Sequence, residues 1–162
     1  MEQPGFDTTP LGDEIAGPTQ VIRLRVRELR AKQGWSAERL AAEMTKVGVA
    51  WTRVVVTKLE TGRRPDISVV ELLALAFVLD VAPIHLLVPV ADGHVLYRVT
   101  PELSTPADQA REWVRGRSPM PGQDPRRYFA EVPEREWQPP SWSAEQAEFT
   151  GRSVEERRRG ER

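Results

Sequence analysis

Arg53, Val54, Thr57 and Lys58 lie close together between Thr52 and a Gly62-Arg63-Arg64 run. At helical spacing, Val56 and Leu59 form one apolar seam and these four residues fall outside it. Thr52 offers a hydroxyl N-cap, and Gly62 is a helix stop. The Arg53 guanidinium carries a fork of N–H donors that matches guanine O6 and N7. Lys58 reaches a guanine or a phosphate. Val54 has no hydrogen-bonding group, so it packs on a thymine methyl or excludes other bases. A short helix with this leading edge is suited to end-on entry into the major groove, where only the first turns reach base edges. Arg63 and Arg64 follow it as cations for the flanking phosphates, which give affinity and register without sequence information. Ser36 and Thr52 open helices, where they serve as caps alone or as caps that also contact phosphate.

These groups need a scaffold, and the periodicity predicts five helices over residues 20–88. The first covers about 21–33, with Ile22, Val26 and Leu29 on one face and Gly34 as its stop. The second follows Ser36 to about Lys46, with Leu40, Ala41 and Met44 inward. The third covers about 53–61. The fourth opens on a Ser68–Glu71 capping box and carries Leu72, Leu75, Ala76 and Leu79. A short fifth, about 83–87, adds Ile84 and Leu87.

The flanks read differently. Residues 1–19 hold Pro, Gly and acids without periodicity and are expected to be a flexible arm. Residues 89–162 contain nine of the 14 prolines and three of the five tryptophans. They are expected to form a mostly irregular, partly disordered extension with one strand (94–100) and one helix. That helix opens on Thr105-Pro106-Ala107-Asp108 and ends at Gly116. A lone strand needs a partner, either its copy in a dimer or the helical domain. The stretch 118–140 is rich in Pro and charge, and the residues beyond 154 read as a charged tail.

The net charge of −1 conceals a division. Residues 1–19 carry four acids and no bases. Residues 20–90 carry eleven Lys/Arg against seven Asp/Glu. Residues 91–162 carry twelve against thirteen. The middle is therefore the basic module, and local charge governs because screening limits its reach to roughly 8 Å. All but three of the basic residues, Lys32, Lys46 and Lys58, are Arg, a bias typical of high-GC bacterial genomes.

Arg30, Gly34, Ser36, Leu40-Ala41, Val56, Leu59-Glu60, Gly62-Arg63-Arg64, Leu72 to Ala76 and Leu79-Asp80-Val81 form an ordered set. Together they resemble the lambda-repressor/Cro-like helix-turn-helix family, of the xenobiotic-response-element type. The resemblance covers residues 21–87, under half the chain. It implies an all-α, five-helix DNA-binding domain whose third helix reads bases through Arg53, Val54 and Lys58. It also implies an ion pair between Arg30 and Glu60 that fixes the angle of that helix. Two departures stand out. The segment from Leu40 to Glu60 is about five residues longer than usual, around 45–51, which lengthens either the second helix or the turn. Ala37 also replaces a glutamine that many members use to hold phosphate and reader together, so Arg53 must be positioned otherwise. Trp51 either staples the helix entry or joins the core.

Other functions find little support. There is no cysteine, and His85 and His94 lack metal-binding spacing. No P-loop or dinucleotide fingerprint occurs. No catalytic residue, metal or cofactor is therefore expected. There is no apolar run long enough to span a membrane and no basic-apolar leader, so a cytoplasmic protein is expected. The resulting expectation is a bacterial transcription regulator that binds double-stranded DNA as a homodimer, with half-sites about one helical turn apart. The alternative is a protein-interaction adaptor, or an antitoxin-like protein, acting through residues 89–162.

Overall fold

The computed structural model describes residues 16–90 and 93–136. Five helices come first: α1 (Pro18–Lys32), α2 (Ala37–Lys46), α3 (Arg53–Glu60), α4 (Val69–Val78) and α5 (Pro83–Leu87). Strands β1 (Leu96–Thr100) and β2 (Leu103–Pro106) follow as an antiparallel hairpin, then α6 (Ala107–Val114), α7 (Pro125–Ala130) and a 3-10 turn, Glu134–Glu136. One compact unit runs to Arg111 and a second begins at Glu112.

Local chemistry explains most boundaries. Pro18 sits in the first turn of α1, where its missing N–H costs nothing. Ser36 Oγ accepts from the Arg39 amide and caps α2. Ser68 Oγ accepts from the Glu71 amide while the Ser68 amide donates to Glu71 Oε2, a complete capping box at α4.

The main core of the first unit is the meeting of the helical seams. Ile22 and Val26 of α1, Leu40, Ala41 and Met44 of α2, Val56 and Leu59 of α3, and Leu75 and Ala76 of α4 are all buried, together with Trp51, Leu79 and Leu86. α3 packs against both α1 and α2, so its bearing is set from two sides. Each fully buried Leu or Val on these faces contributes about 1.5–3 kcal/mol.

A second core corrects the expected division of the chain at residue 88. Tyr97, Ala107 and Ala110 are buried together with Ala16, Val21 and Val88, and Ile84, Leu87 and Val99 pack against them. The Tyr97 hydroxyl donates to the Leu87 carbonyl at 2.9 Å. The hairpin and the start of α6 therefore belong to the helical unit. The strand expected at 94–100 finds its partner in its own chain, at β2, rather than in a copy. Thr105 and Pro106 end that strand instead of opening the helix, and Thr105 is buried. The all-α expectation is modified to the same extent.

The arm expected over 1–19 is also shortened. Ala16 is buried and bridges Tyr97, and its carbonyl accepts from the Arg98 amide at 2.9 Å. Residues 1–15 lie outside the described residues, as do Trp137, Trp142 and the charged tail. Within the second unit, the Pro-rich stretch expected to be irregular contains α7. It is capped by Asp124, which accepts from the Arg126 amide, and Pro125 opens the helix. The Tyr128 hydroxyl donates to the Trp113 carbonyl at 2.6 Å, and Tyr128 and Phe129 meet edge-to-face.

Candidate nucleic-acid interface

The connection from α2 to α3 takes up the extra length. α2 ends at Lys46, and residues 47–52 form a long turn around Gly48, which adopts φ +86°. The Gly48 and Val49 amides close the helix on the Thr45 and Met44 carbonyls. The turn is lengthened, not the second helix.

α3 then presents its expected surface. Arg53, Val54, Thr57 and Lys58 are exposed, while Val56 and Leu59 are buried. Thr52 occupies the N-cap position, but its side chain makes no capping bond. The turn is closed instead by its carbonyl, which accepts from the Val55 and Val56 amides. The Thr57 hydroxyl donates back to the Arg53 carbonyl, which leaves its oxygen lone pairs facing outward. Lys58 and Arg63 are exposed and form no ion pair among the described residues.

Arg53 has a partner that the sequence did not reveal. Its Nε lies 3.0 Å from Glu38 Oε1, in the first turn of α2. The Glu38 carboxyl is held below the usual range by its own backbone amide and by the Ser36 hydroxyl, with Arg53 and Arg30 adding their charge. Ser36 is thus engaged twice, by the Arg39 amide and by Glu38. Glu38, next to Ala37 in the first turn of α2, is therefore the residue that meets Arg53.

Arg30 and Glu60 are joined. Arg30 Nε and Nη2 donate to Glu60 Oε1 and Oε2 at 2.6 and 2.8 Å, a two-pronged pair between α1 and the last residue of α3. Arg30 Nη1 also donates to the Trp35 carbonyl at 2.6 Å. The side chains are only 19% and 11% exposed. Arg23, which the sequence reading passed over, also bears on this end of α3. A Cβ at Gly62, where φ is +73°, would run into Arg23 Nη1. This guanidinium therefore lies over the C-terminal end of α3, where a cation complements the helix dipole.

Arg64 departs from expectation. Expected to clamp phosphate, it turns inward. Its Nη2 donates to Glu71 Oε1 and Oε2 at 2.7 and 3.0 Å, and its guanidinium lies 5.5 Å from the Trp51 ring centre. Its Nη1 is buried without a hydrogen-bond partner among the described residues. Trp51 Nε1 donates to the same Glu71 Oε1 at 2.9 Å. Glu71 thus joins the entry to α3 (Trp51), its exit (Arg64) and the start of α4 (Ser68). Burial alone would raise its pKa. The Ser68 amide, the Trp51 N–H and Arg64 outweigh that and hold it at about 2. The visible signal was the Ser68–Glu71 capping box, since Glu71 was already fixed at the helix start.

The architecture is thus a capped helix, a turn and a second helix with exposed donors, braced by a third element on each side. Residues 26–81 match a family model described as helix-turn-helix. This segment is a helix-turn-helix domain. The match bears out the lambda-repressor/Cro-like helix-turn-helix part of the resemblance read from the sequence, and domains of this kind bind DNA in transcription regulators. No curated protein and no solved structure matches the chain. Among the described residues, no helix is long and apolar enough to cross a membrane. In the helix-turn-helix domain, α2 and α3 are the paired helices, and Arg53 and Lys58 of α3 are exposed.

Proposed function

We propose that the helix-turn-helix domain binds duplex DNA sequence-specifically and that the chain is a bacterial transcription regulator. The observation that carries this reading is the pairing of Arg53 with Glu38 at the exposed start of α3. An orphan arginine there would serve any anion. The Glu38 carboxylate beside Arg53 draws the exposed guanidinium toward α2 and biases it for a two-donor contact with a guanine edge. Lys58 and Arg63 add cationic contacts along the same helix and beyond its end, with Val54 against a thymine methyl. Ser36 and Thr52 place helix starts where phosphates approach. Arg64 acts from behind, by holding Trp51 and Glu71 rather than the DNA backbone.

The test is random-site selection followed by anisotropy titration of the selected duplex across a salt series. Arg53→Ala should weaken the selected site by about 1–3 kcal/mol, roughly 5- to 150-fold, and relax one base position. Glu38→Ala should tighten binding to every duplex, because a negative charge leaves the groove side, while narrowing the gap between selected and random sequence. Arg63→Ala should weaken all sequences alike and lower the salt slope by about one. Equal affinity of the wild type for selected and random duplexes at every salt concentration would overturn the reading.

A further inference from the structure

The first turn of α3 carries Arg53 and Val54, yet it is the least anchored part of that helix. Farther along, Val56 and Leu59 are buried and Glu60 is held by Arg30. In the first turn Arg53 and Val54 are exposed, and only Val55 packs partly against the core. The usual side-chain cap is missing, since Thr52 makes no capping bond. The long turn before it lies in no helix or strand.

Trp51, immediately ahead of the cap position, is what locates this end. It is buried, and its amide donates to the Val49 carbonyl at 2.8 Å. Its indole N–H donates to Glu71, and the Arg64 guanidinium lies over its ring. Arg64 is rooted at the opposite end of α3, where its amide donates to the Lys58 carbonyl at 3.0 Å. Its Nη2 is held by Glu71 and its Nη1 is buried, so neither terminal nitrogen is offered to a phosphate.

We propose that Arg64 is a positioning residue for base reading. It straps the exit of α3 to its entry, fixes Trp51 against Glu71, and so sets where Arg53 stands in the groove. The proposal rests on the DNA-binding reading. A reading side chain has to be held to within roughly 0.5 Å by neighbours that are themselves locked by packing and hydrogen bonds. The Arg53 side chain is 70% exposed, and its contact with Glu38 is an exposed pair, which holds weakly. Its aim therefore comes from the backbone at Trp51, two residues upstream. Lysine could not replace Arg64 in this task, because it has neither the planar face that lies on the indole nor the forked donors.

The test is a double-mutant cycle on the selected duplex, read by anisotropy across a salt series, with each variant shown to be folded by circular dichroism and urea denaturation. Arg64→Ala should weaken binding about fivefold or more, up to the loss seen in Arg53→Ala, and leave the salt slope unchanged. In the Arg53→Ala background the same change should cost less than about twofold, because the side chain it aims is gone. Arg64→Lys should recover little of the loss. Trp51→Phe keeps a ring beneath Arg64 and loses the bond to Glu71, so it should show a smaller loss with the same dependence on Arg53. It also carries the test if Arg64→Ala folds poorly. Equal losses with and without Arg53 would overturn the proposal, as would a salt slope lowered by about one or full rescue by lysine, the marks of a direct phosphate contact. Arg53→Ala would still relax its base position in those cases, so the DNA-binding reading would stand. A wild type that binds selected and random duplexes equally would overturn both.

Discussion

Replacing Arg30 with alanine should lower the unfolding free energy by about 3 kcal/mol, at the lower end of the cost of breaking a buried pair because one edge remains wet. The loss has two parts. Glu60 keeps a charge at a site that is 11% exposed, and the Trp35 carbonyl loses its donor. Glu60→Gln should cost less, because its amide oxygen still accepts one of the two Arg30 bonds, although the other is lost with the charge. The double replacement Arg30→Met with Glu60→Leu should recover most of the stability, because neither partner is then left alone. Urea denaturation checks all three, and a loss under about 1 kcal/mol in Arg30→Ala would mean that the pair is effectively solvated. The double variant also separates stability from function. It should fold well yet bind DNA more weakly, because the pair sets the bearing of α3 against α1.

Acid should unfold the domain partly through Glu71. Its folded pKa of about 2 lies below the ordinary 4.5. The carboxylate therefore contributes stability in full above pH 4.5, and this is lost as the pH falls from there toward about 2. Allowing for solvent screening at a partly exposed group, the contribution is about 1–2 kcal/mol. Glu71→Gln should lose that and more at neutral pH, about 2–3 kcal/mol. Arg64 would then keep its charge without a counter-charge, and its Nη1 already lacks a partner. The clearest readout is the difference in urea midpoint between wild type and Glu71→Gln against pH. It should shrink on acidification through this window. A difference that stays constant would mean that Glu71 acts by shape and not by charge.

Much of this was legible because several elements announce themselves locally. Ser36 and the Ser68–Glu71 box are caps whose partners lie three residues away. Gly34 and Gly62 end their helices at φ +65° and +73°, which glycine adopts without strain. The Arg30–Glu60 pair came only from the resemblance, since neither charge marks its partner in the sequence. The inward contacts of Arg64 were hidden for a related reason. Next to Arg63 it reads as a second surface cation, and only the fold brings Trp51 and Glu71 against it. Glu38 was hidden in the same way, as an acid in a first helical turn that needs no further explanation. Thr105-Pro106 carried a genuine helix-start pattern, but the pull of β1 across the hairpin prevailed and moved the start to Ala107. α7 was overlooked although Asp124-Pro125 is a sound helix start, because the surrounding prolines and charges dominate the local composition.

The pairing of Ala16 with Tyr97 and Arg98 has a kinetic consequence. The helical core itself already needs distant contacts, since α1 packs on α5 and Arg25 Nε donates to the His85 carbonyl. The clasp between residues 16 and 98 encloses all five helices in a longer loop still, so it carries somewhat more closure entropy than they do. Until that clasp forms, the apolar faces of Val21, Val88 and Tyr97 that it brings together remain open to water, and exposed apolar surface of this kind favours misassociation.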